Sequence, residues 1–255
     1  MTTISVVIPA RNDAEMLAAC LEALGRQTRR PDEIVVVDNG SWDTTALVAR
    51  AGGARVVEET VPGIPQAASA GYDAAVGELI ARLDADSVPP PEWIAYAIER
   101  FEHEPTLSVL TGIGDFYGST PLVHTLGRVL YLGGMLASMT PYLGHPPIFG
   151  SNFVMRHEVW RELGPEVHRT QREIHDDLDL SLHIKPWMQV VYDPRFRVAI
   201  SARPFETFSG LRRRVSWVVP TLRNHWPDDA PWARRRARRR WRASERPPRR
   251  MRPAA

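Results

Sequence analysis

Lysine and cysteine are almost absent: the 255 residues contain one of each, Lys185 and Cys20. A single cysteine excludes an internal disulfide framework. Cys20 sits in Met16-Leu17-Ala18-Ala19-Cys20-Leu21, an apolar helical pattern, and is expected as a small buried hydrophobe. Arginine replaces lysine, a usage that follows genome composition and carries no functional reading. No stretch reaches the roughly 18 apolar residues of a membrane span. The nearest, Val129 to Met139, is too short and follows Arg128. The apolar run at 4–8 is too short for a signal peptide and lacks a basic leader. A cytoplasmic protein is therefore expected. There is no internal repeat. The 44% hydrophobic content suits one substantial core, and the composition is neither collagen-like nor disordered.

The net charge of +2 hides an asymmetry. Residues 211–255 carry 15 arginines against three acids, Asp228, Asp229 and Glu245, a net +12. The rest of the chain carries 17 basic and 27 acidic residues, a net −10. From about Trp232 the chain is rich in Arg and Pro, and poor order is expected there.

Strand and helix patterns alternate over the first hundred residues. Ile4-Ser5-Val6-Val7-Ile8-Pro9 reads as a buried strand stopped by proline. Asn12 and Asp13 offer N-cap chemistry for a helix from about Ala14 to Arg26. Glu33 to Asp38 is a second strand. Asn39-Gly40-Ser41 is a turn, and Asp43 or Thr44 can cap a helix through Ala51. Ala54 to Glu58 is a third strand, Ile64 to Ala75 a helix of small residues, and Glu78 to Asp84 a fourth strand. A helix then opens at Pro90-Pro91-Glu92-Trp93 and runs to about Glu102, followed by a strand within Val109 to Phe116. Further on, Gly150 to Arg156 reads as a turn into a strand. His157 to Leu163 and Asp176 to Leu182 read as helices, and Gln189 to Tyr192 and Val198 to Ser201 as short strands. This alternation predicts an α/β fold, a mostly parallel sheet with helices on both faces. Ligands in such sheets bind beyond the carboxyl ends of the strands. Arg11-Asn12-Asp13, Asp38-Asn39-Gly40-Ser41 and Asp84-Ala85-Asp86 all fall at such ends.

Each polar cluster suggests chemistry and has a bland competitor. In extended backbone Asp84 and Asp86 point to one side. Two carboxylates there make a hard-oxygen site for Mg²⁺ or Mn²⁺ and hence for a diphosphate. The competitor is a solvated loop that caps the next helix. Asp38 is placed to accept from a base or ribose, with Gly40 allowing close approach, and the competitor is an ordinary tight turn. His175-Asp176-Asp177-Leu178-Asp179 concentrates carboxylates at a helix start, where they complement the helix dipole. Neighbouring helical residues do not share a face, so Asp176 and Asp177 cannot both do one job. One of them is a candidate base for an acceptor hydroxyl.

Taken together, these segments resemble glycosyltransferase family 2, the inverting group with the GT-A fold, from about Ile4 to about Phe205. Val6-Val7-Ile8-Pro9-Ala10-Arg11-Asn12-Asp13 is similar to the opening strand and nucleotide-contacting loop. Val35 to Thr45 is similar to the second element. Ala75 to Asp86 is the best match, and Gly150 to Arg156 resembles the segment lining the acceptor side. The family's Ala-Arg-Asn-x-Gly is replaced here by Ala68-Ser69-Ala70, which removes an arginine from that helix. The resemblance implies a GT-A-type Rossmann-like sheet with an acceptor-side C-terminal subregion. It implies nucleotide contacts from Pro9, Ala10, Arg11, Asn12, Asp38, Asn39, Gly40, Arg82, Asp84 and Ala85, and Mn²⁺ or Mg²⁺ on Asp84 and Asp86. Acceptor contacts would come from Gly150, Ser151, Asn152 and Asp176. Asp176-Asp177-Leu178-Asp179-Leu180 is similar to the family's Glu-Asp-x-Asp-Leu, whose second residue is the base, so Asp177 takes that role. Asp176 stands where a longer Glu is usual.

The expected organisation is a nucleotide-sugar half at 1–117, an acceptor and catalytic-base half at 118–208, and a basic, partly disordered extension at 209–255. The donor is a nucleotide-sugar; the acceptor is a glycan, a lipid-linked molecule or a small molecule. The Gln-x-x-Arg-Trp motif of processive synthases is absent, which favours single addition. Leu122 to Leu143 is expected as core or acceptor-site wall in preference to an interfacial helix. The basic tail suits peripheral contact with an anionic membrane face, without specific nucleic-acid reading. The rival functions are a nucleotidyltransferase-like enzyme and a non-catalytic nucleotide-binding protein with a transferase fold. The former usually shows a glycine-rich phosphate loop, which Arg11-Asn12-Asp13 is not. A nucleic-acid binder rests on the tail alone.

Overall fold

The β-branched runs at Ile4–Ala10 (β1) and Glu33–Asp38 (β2) lie side by side in parallel, with Val7 opposite Val35 and Ala10 opposite Asp38. Their side chains are buried on both faces, as continuous apolar strands require. The computed structural model describes residues 1–118, 133–203 and 208–244, with side chains in the last segment from Ser216 onward. Helix α1 (Ala14–Gly25) leads from β1 to β2, and α2 (Thr45–Ala51) from β2 to β3 (Arg55–Glu58). Helix α3 (Ile64–Ala74) then crosses back to β4 (Leu79–Leu83), which pairs in parallel with the free side of β1. The chain therefore winds outward over β1, β2 and β3 and reverses at β4. The carboxyl ends of β1 and β4 flank the switch point where such sheets bind ligands.

The other side of β4 is different. β8 (Asn152–Arg156) runs antiparallel to it, with Asn152 opposite Leu83. The turn that enters β8 is thereby brought to the rim where β4 ends. β6 (Leu107–Thr111) and β9 (Gln189–Tyr192) complete a seven-stranded sheet in the order β3-β2-β1-β4-β8-β6-β9. A three-stranded sheet holds β5 (Ser87–Val88), β10 (Val198–Ser201) and β7 (Gly114–Tyr117).

The single strand expected within Val109 to Phe116 is in fact two, β6 and β7, in different sheets. Gly112 is the break. A Cβ there would lie 1.6 Å from the Phe196 carbonyl oxygen, so only glycine lets the chain change sheets at this point. Cys20 is fully buried on α1, as expected, and burial pushes its thiol pKa upward.

Helices α4 (Trp93–His103) and α6 (His157–Leu163) match their expected spans closely. Helix α5 (Gly134–Leu143) packs Met139, Tyr142 and Leu143 against Leu178 and Leu182 of α7 (Asp176–His183) and against Val218 and Leu222 of α8 (Phe208–Asn224). That part of Leu122 to Leu143 packs on a core cluster with Leu143 fully buried; residues 119–132 lie outside the described residues. Of the segment expected to be poorly ordered, residues 245–255 lie outside the described residues, and residues 232–244 fall in a helix, α9 (Pro231–Ser244). Its Arg234 is only 6% exposed and donates to the carbonyls of Leu143, Ser181 and Ile184, at the ends of α5 and α7. Composition treats every arginine as solvated, whereas this one finds unpaired helix-end carbonyls.

Candidate active site

The rim is built from the ends of β1, β2 and β4, the entrance to β8 and the start of α7. The first two ends are stitched together. Asn12 has a left-handed φ of +51°, which asparagine tolerates, and its Oδ1 accepts from Trp42 N at 2.9 Å. Its own N–H donates to Ser41 Oγ at 3.0 Å. Asp38 accepts from Ser41 N at 3.1 Å. Gly40 has φ +70°, which glycine adopts freely, and no protein atom lies within 4 Å of its Cβ position. Arg11 is exposed at the edge, while Pro9 and Ala10 are held in the sheet.

Two residues expected at the cleft turn inward instead. Asn39 is buried; its amide donates to the carbonyls of Glu59 and Val61 and its Oδ1 accepts from Gly63 N. It clamps the loop before α3. Asn152 is fully buried, taking a hydrogen bond from Trp93 Nε1 at 2.9 Å and donating to Phe196 O at 2.8 Å. With its amide occupied on both sides, it braces the two sheets and has nothing to offer an acceptor. Ala85 is likewise buried and can contribute only backbone to the cleft.

Arg82 organises the centre. It lies on β4, 2% exposed, and one guanidinium nitrogen donates to Tyr72 Oη at 3.0 Å and to Asp176 Oδ2 at 2.8 Å. The other donates to Asp84 Oδ1 at 2.8 Å. A strand and a helix start, 94 residues apart in sequence, are thus joined through one buried cation. Burial raises the Asp176 carboxyl above its ordinary value; Arg82 opposes that rise and neighbouring Asp177 adds to it.

Asp84 and Asp86 do not lie on extended backbone. Ser87 N donates to Asp84 O at 3.0 Å, closing a turn over residues 84–87. Asp84 therefore faces Arg82, and Asp86 faces Arg203, which lies 3.9 Å from it. Arg203 also donates to Asp13 at 2.8 Å, and Tyr117 Oη donates to the Asp86 carbonyl at 2.8 Å. The donor chemistry fits a hard divalent ion: two partly exposed carboxylates on one turn, at the mouth of the switch point.

Asp177 is held differently from Asp176. Its Oδ2 accepts from Gly150 N at 2.9 Å and its Oδ1 from Leu178 N at 2.8 Å. A Cβ on Gly150 would come within 3.2 Å of that Oδ2, so the turn sits directly against the carboxylate. Ser151 follows, half-buried. Tyr72, Tyr117 and Arg203 are absent from the sequence-based set. Arg203 follows the end of β10 in Ser201-Ala202-Arg203, so the rule of polar strand ends would have found it.

A sheet that reverses beside β1, with acidic residues at the reversal, defines a doubly wound α/β fold with an acidic cleft at its switch point. Residues 5–164 match the family described as glycosyl transferase family 2. The chain belongs to that family. It is 34% identical over 99 residues to glycosyltransferase AglE of Haloferax volcanii, covering 36% of this chain and 33% of that protein. It is 35% identical over 106 residues to the undecaprenyl-phosphate 4-deoxy-4-formamido-L-arabinose transferase of Pectobacterium carotovorum, covering 38% and 32%. The chain thus matches about a third of the length of these curated relatives. Its fold is similar to that of glucosyl-3-phosphoglycerate synthase from Mycobacterium tuberculosis, a structure in complex with Mn²⁺, UDP and glucosyl-3-phosphoglycerate. The TM-score is 0.63 at 22% identity, covering 87% of this chain and 78% of that one. The GT-A-type architecture expected from the sequence is the one observed.

Proposed function

We propose that this protein transfers a sugar from a nucleoside-diphosphate-sugar to an acceptor hydroxyl in one displacement, with inversion. The observation that carries the reading is the Arg82 bridge, which ties Asp84 on the donor side to Asp176 beside the candidate base. In this reading Asp38 and the backbone around Arg11 and Gly40 receive the nucleoside. Asp86, with Asp84, would hold Mn²⁺ or Mg²⁺, which would supply positive charge to neutralise a diphosphate leaving group. Asp177 takes the proton from the acceptor hydroxyl, oriented by the Gly150 and Leu178 N–H groups. Gly150 and Ser151 border the acceptor; Asn152 supports them from behind. Arg82 fixes Asp176 in place and opposes the burial-driven rise of its pKa, so that Asp176 shapes the acceptor side and leaves proton transfer to Asp177.

The relatives suggest two carriers for the acceptor hydroxyl: a lipid-linked molecule, since the Pectobacterium relative's name states undecaprenyl phosphate for that protein, and a small phosphorylated acid, as in the mycobacterial synthase. One feature favours a membrane-borne acceptor. Trp226 and Trp232 are exposed and pack edge to face at 5.1 Å, beside the exposed Arg235, Arg236, Arg239 and Arg240 of α9. Indole and guanidinium side chains together suit an anionic lipid surface. Among the described residues no helix is long and apolar enough to cross a membrane.

The test is a screen of nucleotide-sugars with Mn²⁺ or Mg²⁺ that reads released nucleoside diphosphate. Asp177→Asn is expected to lower turnover by about 10²-fold or more, with donor affinity nearly unchanged. If donor affinity collapses with turnover, or turnover persists, Asp177 is not the base.

A further inference from the structure

Three of the eight histidines converge on one carboxylate, Asp179, on the helix that starts with Asp176 and Asp177. Asp179 and His183 lie one helical turn apart on α7, His168 comes from the loop after α6, and His225 from the end of α8. One ligand atom from each can be chosen so that all four lie within 4.8 Å of one another. The side chains of Asp179 and His225 are each 3% exposed. We propose that these four residues form a closed structural site for a divalent transition metal of the Zn²⁺ class, distinct from the Asp84 and Asp86 carboxylates.

The donor set is the first argument. Three imidazoles and one carboxylate give an N₃O shell, which suits Zn²⁺ and its neighbours and not Mg²⁺ or Ca²⁺. A lone buried carboxylate needs one cationic or hydrogen-bonding partner. Here His168 Nδ1 lies 2.7 Å and His225 Nε2 2.8 Å from the same Asp179 Oδ1, and His183 closes the third side. The ring centroids are 4.6 to 5.5 Å apart. A tetrahedral shell with metal–nitrogen bonds of about 2.0–2.1 Å places ligand atoms about 3.3 Å from one another. The cluster reaches that spacing by opening the two short pairs by about half an ångström and drawing the longer ones in.

The outer partners are the second argument, because metal-bound imidazoles are oriented through their other nitrogen. His183 Nδ1 donates to the Asp179 carbonyl at 2.8 Å, which leaves Nε2 as the nitrogen available to a metal. His225 Nδ1 lies 3.1 Å from Asp229 Oδ2, a carboxylate–imidazole pair of the kind that supports metal ligands. Asp179 Oδ2 accepts the His168 backbone N–H at 2.8 Å, which pins the loop beside the cluster. The second nitrogens of two ligands and the second oxygen of a third are thus already engaged.

The position gives the site a role. α7 begins with Asp176 and Asp177 at the cleft and carries Asp179 and His183 on its following turns. A metal here would fasten the His168 loop and the end of α8 to the helix that presents the base. No other covalent tie joins these segments, since the chain's single cysteine is buried elsewhere.

The experiment uses the full chain, purified without a metal-affinity tag, stripped with chelator and titrated with Zn²⁺ and, separately, Co²⁺. The expected result is one Zn²⁺ per chain, a melting temperature that rises with Zn²⁺, and the intense visible absorption of tetrahedral Co²⁺. His168→Gln, in the most exposed ligand, should keep the metal-free fold by circular dichroism yet lose Zn²⁺ affinity. Asp229→Asn should weaken it about 10- to 100-fold. Asp84→Asn combined with Asp86→Asn should leave this Zn²⁺ affinity unchanged, which separates the site from the donor site. Absence of stoichiometric binding, an octahedral Co²⁺ spectrum, or affinity that follows the Asp84 and Asp86 changes instead of His168→Gln would overturn the proposal.

Discussion

Replacing Arg82 with methionine should destabilise the protein in a strongly pH-dependent way. Methionine keeps much of the buried stem and removes the charge. Three partners are left behind: the Tyr72 hydroxyl, Asp84 and Asp176. Asp84 is 42% exposed on its side chain, so water replaces its lost partner and its share is about 0–1 kcal/mol. Asp176 is 19% exposed and sits against Asp177. Stranding one member of a buried ion pair costs about 3–5 kcal/mol. The burial-raised pKa of Asp176 sets the sign. The fold prefers this carboxyl protonated, so its contribution is fully present below the ordinary value of 3.8 and is lost as pH rises through the folded value. Removing Arg82 takes away the one large opposing influence and moves that window upward. The substitution should therefore cost about 1 kcal/mol near pH 4, mostly the Tyr72 hydrogen bond, and about 3–5 kcal/mol at pH 7.5. Urea unfolding at both pH values measures the difference, and adding Asp176→Asn to the variant should recover most of it at pH 7.5. A loss that is equal at the two pH values would refute the reasoning, as would a double variant no more stable than the single one.

Gly112→Ala should unfold or severely weaken the chain, by about 3 kcal/mol or more, since its Cβ would meet backbone that cannot rotate away; thermal melting checks this. Asn152→Ala should cost about 3 kcal/mol by leaving Trp93 Nε1 and the Phe196 carbonyl without buried partners. The folded fraction of that variant should bind nucleotide normally by titration calorimetry, and a selective loss of binding would return Asn152 to the cleft.

The parallel half of the sheet was readable because β1, β2 and β4 are apolar on both faces and each ends in polar residues. Their boundaries matched within about one residue, since proline, glycine and aspartate punctuate them. Asn39 and Asn152 show where such reading stops. Both stand beside cleft residues in sequence, and only the three-dimensional surroundings reveal that their amides face inward. For Asp84 and Asp86 it is the expected same-side geometry that differs. The alternation rule holds for extended backbone, and the turn at 84–87 cancels it. The tail misled for the opposite reason, because charge density says nothing about a single arginine that inserts between helix ends.

The residues hardest to see in the sequence are those whose partners lie far along it. Arg82 reads as an odd polar residue in an apolar strand, and a charge there looks costly. The cost is offset only because α7 brings Asp176 to it from 94 positions away. The same helix sends Asp177 to the Gly150 turn and Asp179 to three histidines, so the three acids among positions 176–179 serve three different neighbourhoods. Helical geometry separates Asp177 from Asp176, since successive side chains diverge by about 100° around the axis. A run of acids that looked like one N-terminal cluster is therefore three separate contacts, and α7 is the element through which the donor side, the candidate base and the buried histidine cluster are held in register.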